Sequence, residues 1–199
     1  ARAETIGAFA LTEQGAGSDA AAMTTTATRA DGHYVLNGTK LFITNGRYGD
    51  TFALMAKTDK NASPAHRGLT CFIVEKGLAG LETGKPENKL GIRASDTCEL
   101  YFDDVKVPVE NIIGKEGEGF KIALSTLDGG RIGIASQALG IAQASLDASV
   151  SYSKERIQFG KPIAANQGIQ FKIADMAMEI ESARILIHKA AWLKDQNQN

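Results

Sequence analysis

The chain changes its residue pattern near Gly119, and this change limits what it can fold into more than any other feature. Before Gly119, short apolar or threonine-rich runs alternate with turn residues, the pattern of an antiparallel sandwich or barrel. After it, apolar residues recur every three or four positions, which indicates helices. We therefore predict an α+β multidomain chain, with a β-barrel-like domain at residues 4–110 and the first two helices of an up-down four-helix bundle at residues 115–199.

Seven strands are predicted before the change of pattern. They span residues 7–11, 24–29, 34–36, 40–44, 51–57, 69–75 and 99–107. Asp31-Gly32 and Asn37-Gly38 are the strongest turn signals in the chain, because a type I′ turn needs positive φ at both central residues. We expect both dipeptides to form turns around the 34–36 strand.

Two long helices are predicted after the change, at residues 120–152 and 167–195, separated by a segment that contains Gly160 and Pro162. The second helix carries one apolar face formed by Ile169, Ile173, Met176, Ile180, Ala183 and Ile187. A second apolar set consists of Phe171, Ala174, Met178, Ile185 and Trp192. A helix with two apolar faces needs partners on both sides, so we expect further helices, from sequence outside this chain or from another chain, to complete the bundle. Until they do, the exposed faces predict self-association.

Composition excludes several classes of function. The 22 basic and 23 acidic side chains leave a net charge of −1, which offers no electrostatic surface for nucleic acid or an anionic membrane. No apolar run reaches the roughly 18 to 20 residues of a membrane-spanning helix. Cys71 and Cys98 lie in apolar stretches, which favours buried thiols in a bacterial cytoplasm or, in a eukaryote, the mitochondrial matrix. The three histidines have no metal-ligand spacing, so no metal site is expected, and a first residue other than Met favours a start within a longer protein.

The loop Gly15-Ala16-Gly17-Ser18-Asp19 is superficially similar to a dinucleotide-binding fingerprint. That fingerprint requires a helix directly after the glycines, whereas a threonine-rich strand pattern follows here. The small residues instead favour a close approach of the backbone to a ligand or to another strand. An ordinary glycine turn is equally compatible with the loop taken alone.

Four segments, taken in order, resemble the signatures of the acyl-CoA dehydrogenase family. They are FALTEQGAGSD at residues 9–19, KLFITNG at 40–46, LDGGR at 127–131 and RIQFGKP at 156–162, the last followed by Gln167. The resemblance is closest to the short-chain, butyryl-type branch. It implies an FAD enzyme of β-oxidation that oxidises the Cα–Cβ bond of a fatty acyl-CoA and passes the electrons to electron-transferring flavoprotein. It also implies a homo-oligomer, a tetramer, in which subunits share the FAD site.

The resemblance assigns site residues position by position. For FAD they are Phe9, Leu11, Thr12, Phe42, Ile43, Thr44, Arg156, Phe159 and Gln167, of which Arg156 and Gln167 reach the FAD bound mainly to a neighbouring subunit. For acyl-CoA they are Ser18, Asp128 and Arg131. Without the motifs, the two threonines are explained by strand propensity alone, and Ser18 by a hydroxyl at a turn. Asp128 and Arg131 would then be an ordinary i,i+3 ion pair of a helix. Arg156 and Gln167 would be residues that cap helix ends. We expect FAD and a short acyl-CoA to meet where the β domain faces the first helix.

No catalytic residue is expected within this chain. Removal of the thioester α-proton needs a carboxylate whose pKa is raised by desolvation. In most of the family that glutamate lies downstream of the segments present here, and in some branches it precedes the arginine that corresponds to Arg131, where this chain has Gly130. Glu179 and Glu181 are expected to be solvated or structural. Two alternatives stay open, a non-catalytic binding or scaffold module of the same fold and an acyl-CoA oxidase, and the acyl chain length is not determined.

Overall fold

The structure is a computed structural model that describes residues 4–196. The chain divides into two compact units, Ala1–Ser125 and Thr126–Asn199. The first unit contains a β-sheet, and the second contains most of two long helices. This order of a β domain followed by a helical domain with two helices confirms the predicted fold class.

Eight strands form one sheet in the order β6-β7-β3-β2-β4-β5-β8, with β1 paired beside β4. The strands are β1 Gly7–Ala10, β2 Thr26–Ala30, β3 His33–Thr44, β4 Thr51–Lys57, β5 Leu69–Glu75, β6 Leu81–Thr83, β7 Thr97–Pro108 and β8 Ile112–Ile113. Most pairs are antiparallel, but β1 runs parallel to β4 and β2 meets β4 in parallel at Thr26 and Lys57. The sheet is therefore mixed, because the β2–β3 hairpin lies between β1 and β4 in the chain and brings β4 back in the direction of β1.

Two of the predicted strands, at residues 51–57 and 69–75, have the bounds that the structure gives β4 and β5. The predicted strands at 34–36 and 40–44 are parts of the single strand β3. The short strands β6 and β8 were not predicted, because two or three residues are too few to show an alternating pattern.

The predicted turn at Asn37-Gly38 is wrong. These residues lie inside β3, where the register against β7 shifts between Leu36 and Gly38. Gly38 has a φ of +148°, and a Cβ placed on it would lie 2.7 Å from Thr25 Cα. The extra residue of this register shift lies on β7, where Asp104 has a φ of +50°. Glycine is needed at position 38 because the backbone of β3 approaches Thr25 too closely for a side chain. Asp31-Gly32 does connect β2 to β3, although only Gly32 has a positive φ, so the turn is not type I′.

The core of the β domain consists of side chains that alternate along the strands. Fully buried members include Leu36, Phe52, Leu54, Phe72 and Leu100, as expected when one face of a pleated strand is covered. Tyr34 joins them, with its ring 5.0 Å from that of Phe72 in an edge-on arrangement. Both cysteines are buried and free, as the sequence predicts, and burial raises the pKa of the Cys71 thiol to about 11.

The glycine loop is a turn and not the start of a nucleotide-binding helix. Glu13 and Ala16 exchange backbone hydrogen bonds of 3.1 Å across it. It is followed only by the three-residue 3-10 helix Ala20–Ala22 and then by β2. The expectation that the chain runs from this loop into a strand is confirmed.

The helices are α1 Gly119–Glu155 and α2 Gln167–Asp195, and the two-residue strands β9 Ile157–Gln158 and β10 Lys161–Pro162 form a hairpin between them. The predicted first apolar face of α2 is buried at Ile180 and half-buried elsewhere, whereas the second set stays exposed. Arg184 on α2 donates a hydrogen bond of 2.6 Å to Gln143 on α1. Within residues 4–196, neither helix is long and apolar enough to cross a membrane.

Substitution of Gly38 by alanine is predicted to destabilise the protein by about 2 kcal/mol or more, because the new methyl group would overlap Thr25 in a packed sheet. Urea unfolding followed by circular dichroism measures the loss. Gly7→Ala is the matched control, since Gly7 also lies in a strand and has open space around it. Equal stability of the two variants would contradict the close approach.

Candidate functional site

A buried ion pair joins the first two motifs. The Nζ atom of Lys40 lies 2.8 Å from Oε1 of Glu13, with side-chain exposures of 0% and 5%. Lys40 also donates to the carbonyl oxygen of Leu11 at 3.0 Å and points at Sδ of Met23 at 3.7 Å. Each ammonium proton therefore has an acceptor, as a fully buried cation requires.

The carboxylate of Glu13 extends this contact to the residues just before β2. Its Oε2 atom accepts hydrogen bonds from the backbone N–H of Thr24 at 2.6 Å and from the Thr24 hydroxyl at 2.7 Å. Its Oε1 atom accepts one from the backbone N–H of Thr25 at 3.0 Å. Glu13 thus connects the glycine loop, the start of β2 and the middle of β3 through one side chain.

Burial acts on both charges of the pair, with different outcomes. Burial alone would raise the pKa of Glu13, but the charge of Lys40 and the hydrogen bonds from Lys40, Thr25 and Thr24 outweigh it and hold this pKa at about 2. Burial lowers the pKa of Lys40 to about 8, because the loss of water exceeds the stabilisation by Glu13. The difference arises because the carboxylate accepts four hydrogen bonds, whereas the ammonium has one charged partner, one carbonyl and a weak sulfur acceptor. Both groups are ionised at pH 7.

A β-bulge follows Lys40 and turns an aromatic ring outwards. The register of β3 against β7 shifts between Lys40 and Ile43. Phe42 has a φ of +56°, and its side chain is 61% exposed, whereas Ile43 is buried. A bulky residue in the left-handed region is strained, and such strain is common at binding sites. The bulge therefore presents Phe42 as an exposed aromatic surface.

The hydroxyls predicted to face the flavin have no hydrogen-bond partner in the part of the chain that the structure describes. Among the hydrogen bonds of residues 4–196, none uses the side chain of Thr12 or Thr44. Thr12 lies beside β3, since its carbonyl oxygen accepts the N–H of Leu41 at 2.8 Å. Phe9 and Leu11, on the same segment, are half-buried and buried. Hydroxyls that no group of the described chain engages, on segments next to the exposed Phe42, suit a polar aromatic cofactor better than a closed protein core.

The substrate residues of the resemblance are found in both units. Ser18 is exposed in the glycine loop, and its hydroxyl has no protein partner in the described range. Asp128 and Arg131 lie one turn apart on α1 and form an exposed ion pair of 2.8 Å. The pair shows that the two side chains share one helix face, and as an exposed i,i+3 contact it contributes little stability of its own.

Arg156, Phe159 and Gln167 lie on the connection between the helices. Arg156 directly follows α1, and its carbonyl oxygen accepts the N–H of Ile163 at 2.9 Å. Phe159 and Gly160 both have positive φ, 51° and 74°, so they form the type I′ turn of the β9–β10 hairpin. The Phe159 side chain is 99% exposed. Gln167 begins α2, and within residues 4–196 neither its amide nor the Arg156 guanidinium has a side-chain partner.

Two carboxylates on α2 do not form a site. Glu181 makes an exposed ion pair of 3.1 Å with Arg184, and Glu179 is exposed at the edge of an apolar groove between α1 and α2. No group of three or more metal-binding side chains occurs among the described residues. Gly130, in the alternative position of the base, has open space around it.

Comparison with known proteins decides the family. Residues 8–105 match the model of the acyl-CoA dehydrogenase middle domain, and residues 117–199 match that of the acyl-CoA dehydrogenase C-terminal domain. The chain belongs to the acyl-CoA dehydrogenase family. A short-chain specific acyl-CoA dehydrogenase of Megasphaera elsdenii is 56% identical over 194 residues, which cover 97% of this chain and 50% of the relative. The chain thus spans about half the length of the curated relatives that it matches.

Solved structures of the family have the same fold. Butyryl-CoA dehydrogenase from Megasphaera elsdenii superposes with a TM-score of 0.94 at 55% identity and covers 98% of this chain and 51% of its own. A chain in a structure of the electron transferring flavoprotein of Acidaminococcus fermentans superposes with a TM-score of 0.93 at 54% identity, with 98% and 51% coverage.

Glu13 and Lys40 were not singled out by the family resemblance or by the residue pattern. A signal was nevertheless present, because Lys40 continues the row of inward-facing positions that holds Tyr34 and Leu36 in β3. A lysine at an inward position requires a buried acceptor. The sequence could not show which acidic residue supplies it.

The stabilisation by Glu13 is predicted to depend on pH in the acid range. The pKa of Glu13 lies at about 2 in the folded protein, whereas the ordinary value of 4.5 applies to the unfolded chain. The contribution of Glu13 to stability is therefore complete above pH 4.5 and is lost as pH falls towards 2. The difference in unfolding free energy between wild type and Glu13→Gln should therefore shrink by on the order of 2 kcal/mol between pH 6 and pH 3. Urea titrations across this range measure it, and Glu82→Gln, which removes an exposed glutamate of β6, is the control. A difference that stays constant with pH would contradict the prediction.

Proposed function

We propose that this chain is the flavin- and substrate-facing half of an FAD-dependent acyl-CoA dehydrogenase. The reaction is the α,β-dehydrogenation of a short-chain fatty acyl-CoA to the trans-2-enoyl-CoA, with electrons passed to electron-transferring flavoprotein. The observation that carries the proposal is that the hydroxyls of Thr12 and Thr44 have no hydrogen-bond partner within residues 4–196, on segments next to the exposed residue Phe42. Family membership supports it, because all three residues lie within residues 8–105, which match the acyl-CoA dehydrogenase middle domain.

The resemblance assigns FAD contacts to residues of each unit. In the β domain, the Leu11 and Thr12 segment and Thr44 supply hydrogen-bond donors, while Phe9, Phe42 and Ile43 supply apolar contact. FAD, when bound, supplies the acceptor for the hydride that leaves the substrate Cβ. Donors fixed before the reaction stabilise charge that develops on a bound ring without needing to reorganise. Arg156, Phe159 and Gln167 would contact FAD bound mainly to a neighbouring subunit of a homotetramer, for which an arginine fork suits phosphate oxygens.

The substrate is held by Ser18, Asp128 and Arg131 in this proposal, and the base comes from outside the 199 residues. The position before Arg131, which carries the base in some branches, is Gly130. In this proposal these residues hold the thioester, and a downstream glutamate removes the α-proton. A bacterial cytoplasm or a mitochondrial matrix fits this reaction and the two buried free thiols.

A complete protein that carries this segment and has the length of its relatives should bind FAD and oxidise butyryl-CoA with an artificial electron acceptor. The 199-residue chain alone should show no turnover, because it holds no base. Absorbance of the purified flavoprotein and dye reduction test both statements. A complete protein that cannot be reconstituted with FAD would favour a scaffold, oxygen consumption would favour an oxidase, and turnover by the short chain would contradict the missing base.

Substitution Arg156→Met is predicted to weaken FAD binding about tenfold in the complete protein, because it removes a charge-assisted contact to phosphate. Unfolding free energy should change by less than about 0.5 kcal/mol, because the exposed guanidinium makes no hydrogen bond or ion pair in the described chain. Flavin fluorescence during titration of the apoprotein measures the affinity. Lys154→Met is the matched control, as it removes an exposed cation from the last turn of α1. An equal effect of both variants would count against a phosphate contact.

A further inference from the structure

The segment after β1 is held in place by two hydrogen bonds from one point of β3. Strand β1 ends at Ala10, and the chain then leaves the sheet. The carbonyl oxygen of Leu11 accepts Nζ of Lys40 at 3.0 Å, and the carbonyl oxygen of Thr12 accepts the N–H of Leu41 at 2.8 Å. Two successive peptide groups are therefore oriented by two successive residues of β3.

Glu13 stabilises the charged Lys40 side chain in its buried position beside the Leu11 carbonyl. A fully buried ammonium without a counter-charge is strongly unfavourable, and Glu13 is the carboxylate that contacts it. Glu13 is itself fixed by three hydrogen bonds from Thr24 and Thr25. The position of the Leu11 carbonyl therefore depends on both members of the pair.

The same pair adjoins the bulge that turns Phe42 outwards. Lys40 and Ile43 are the buried residues on either side of the register shift, and Phe42 has its strained φ of +56° between them. A strained conformation persists only where its surroundings hold it. The backbone before Phe42 is held by the buried contacts of Lys40 with Glu13 and Leu11. It is also held by the hydrogen bond from the N–H of Leu41 to Thr12.

We propose that Glu13 and Lys40 are positioning residues for the flavin site, which fix the Leu11–Thr12 backbone and the Phe42 bulge against each other without touching the cofactor. This inference rests on the proposed FAD site and adds the part of the protein that sets its geometry. An apolar pair of similar volume could fill the same space, and such replacements of buried ion pairs often preserve stability. It could not donate to the Leu11 carbonyl, so stability and cofactor positioning can be separated.

The test uses the complete protein with the double substitution Glu13→Leu/Lys40→Met, which leaves no buried charge unpaired. FAD affinity is measured by fluorescence titration of the apoprotein, and the reduction potential of bound flavin by equilibration with redox dyes. We expect affinity to fall about tenfold and the potential to shift, with cooperative unfolding retained. Arg29→Met/Glu116→Gln is the matched control, because it removes an exposed pair of the same domain while the glutamine can still accept the hydrogen bond of Tyr34; it should change neither property.

Each outcome bears on the proposal. A folded double variant with wild-type affinity and potential would overturn it, because the pair would then serve stability alone. If the double variant does not fold, Glu13→Gln takes its place, since Lys40, whose pKa burial already lowers, can lose its proton beside a neutral glutamine and the amide oxygen still accepts from one of the two threonines. This variant should lower affinity and shift the potential in the same way. Unchanged values in Glu13→Gln would overturn the proposal too. Wild-type protein that binds no FAD would refute the proposed function instead, so the two failures are distinguishable.

Discussion

A lysine ammonium sealed inside the sheet organises the β domain. The Lys40 side chain has no access to water. Its ammonium group donates instead to one carboxylate, one carbonyl oxygen and one sulfur atom, which offset the free energy lost on desolvation. Because Glu13 also holds the backbone before β2, the pair joins three chain segments that are distant in sequence. Hydrogen bonds to charged groups are directional as well as strong, so the pair fixes orientation where apolar packing alone would fix only volume.

Backbone irregularities in β3 complete what the ion pair begins. The first, at Gly38, lets β3 press against Thr25 at a distance that no side chain would permit. The second, between Lys40 and Ile43, turns Phe42 out of the sheet. A regular strand would present alternate residues to opposite faces, and it could not place an exposed ring between two buried neighbours. Regular pairing of β3 is therefore interrupted within the segment that carries the second family motif, residues 40–46.

In the helical unit, one face of α2 is packed and the other is exposed. One face of α2 packs beside α1, with Ile180 buried and Arg184 bonded to Gln143. The other face exposes Phe171, Met178 and Trp192, which an isolated helix in water would not favour. A further helix or a second chain is expected to cover it. The hairpin between the helices carries Phe159 at a strained type I′ turn, so display of an aromatic residue through strain occurs in both units.

Sequence alone determined the change from strands to helices, the bounds of β4, β5 and α2, and the family, because these depend on residue periodicity and on ordered motifs that neighbouring residues define. It placed a turn at Asn37-Gly38, since local preference cannot reveal that Thr25 lies against that glycine. It also gave no role to Glu13 or Lys40. Only the tertiary structure could pair them, because 27 residues separate the two charges and their contact arises from the way the loop after β1 folds back onto β3.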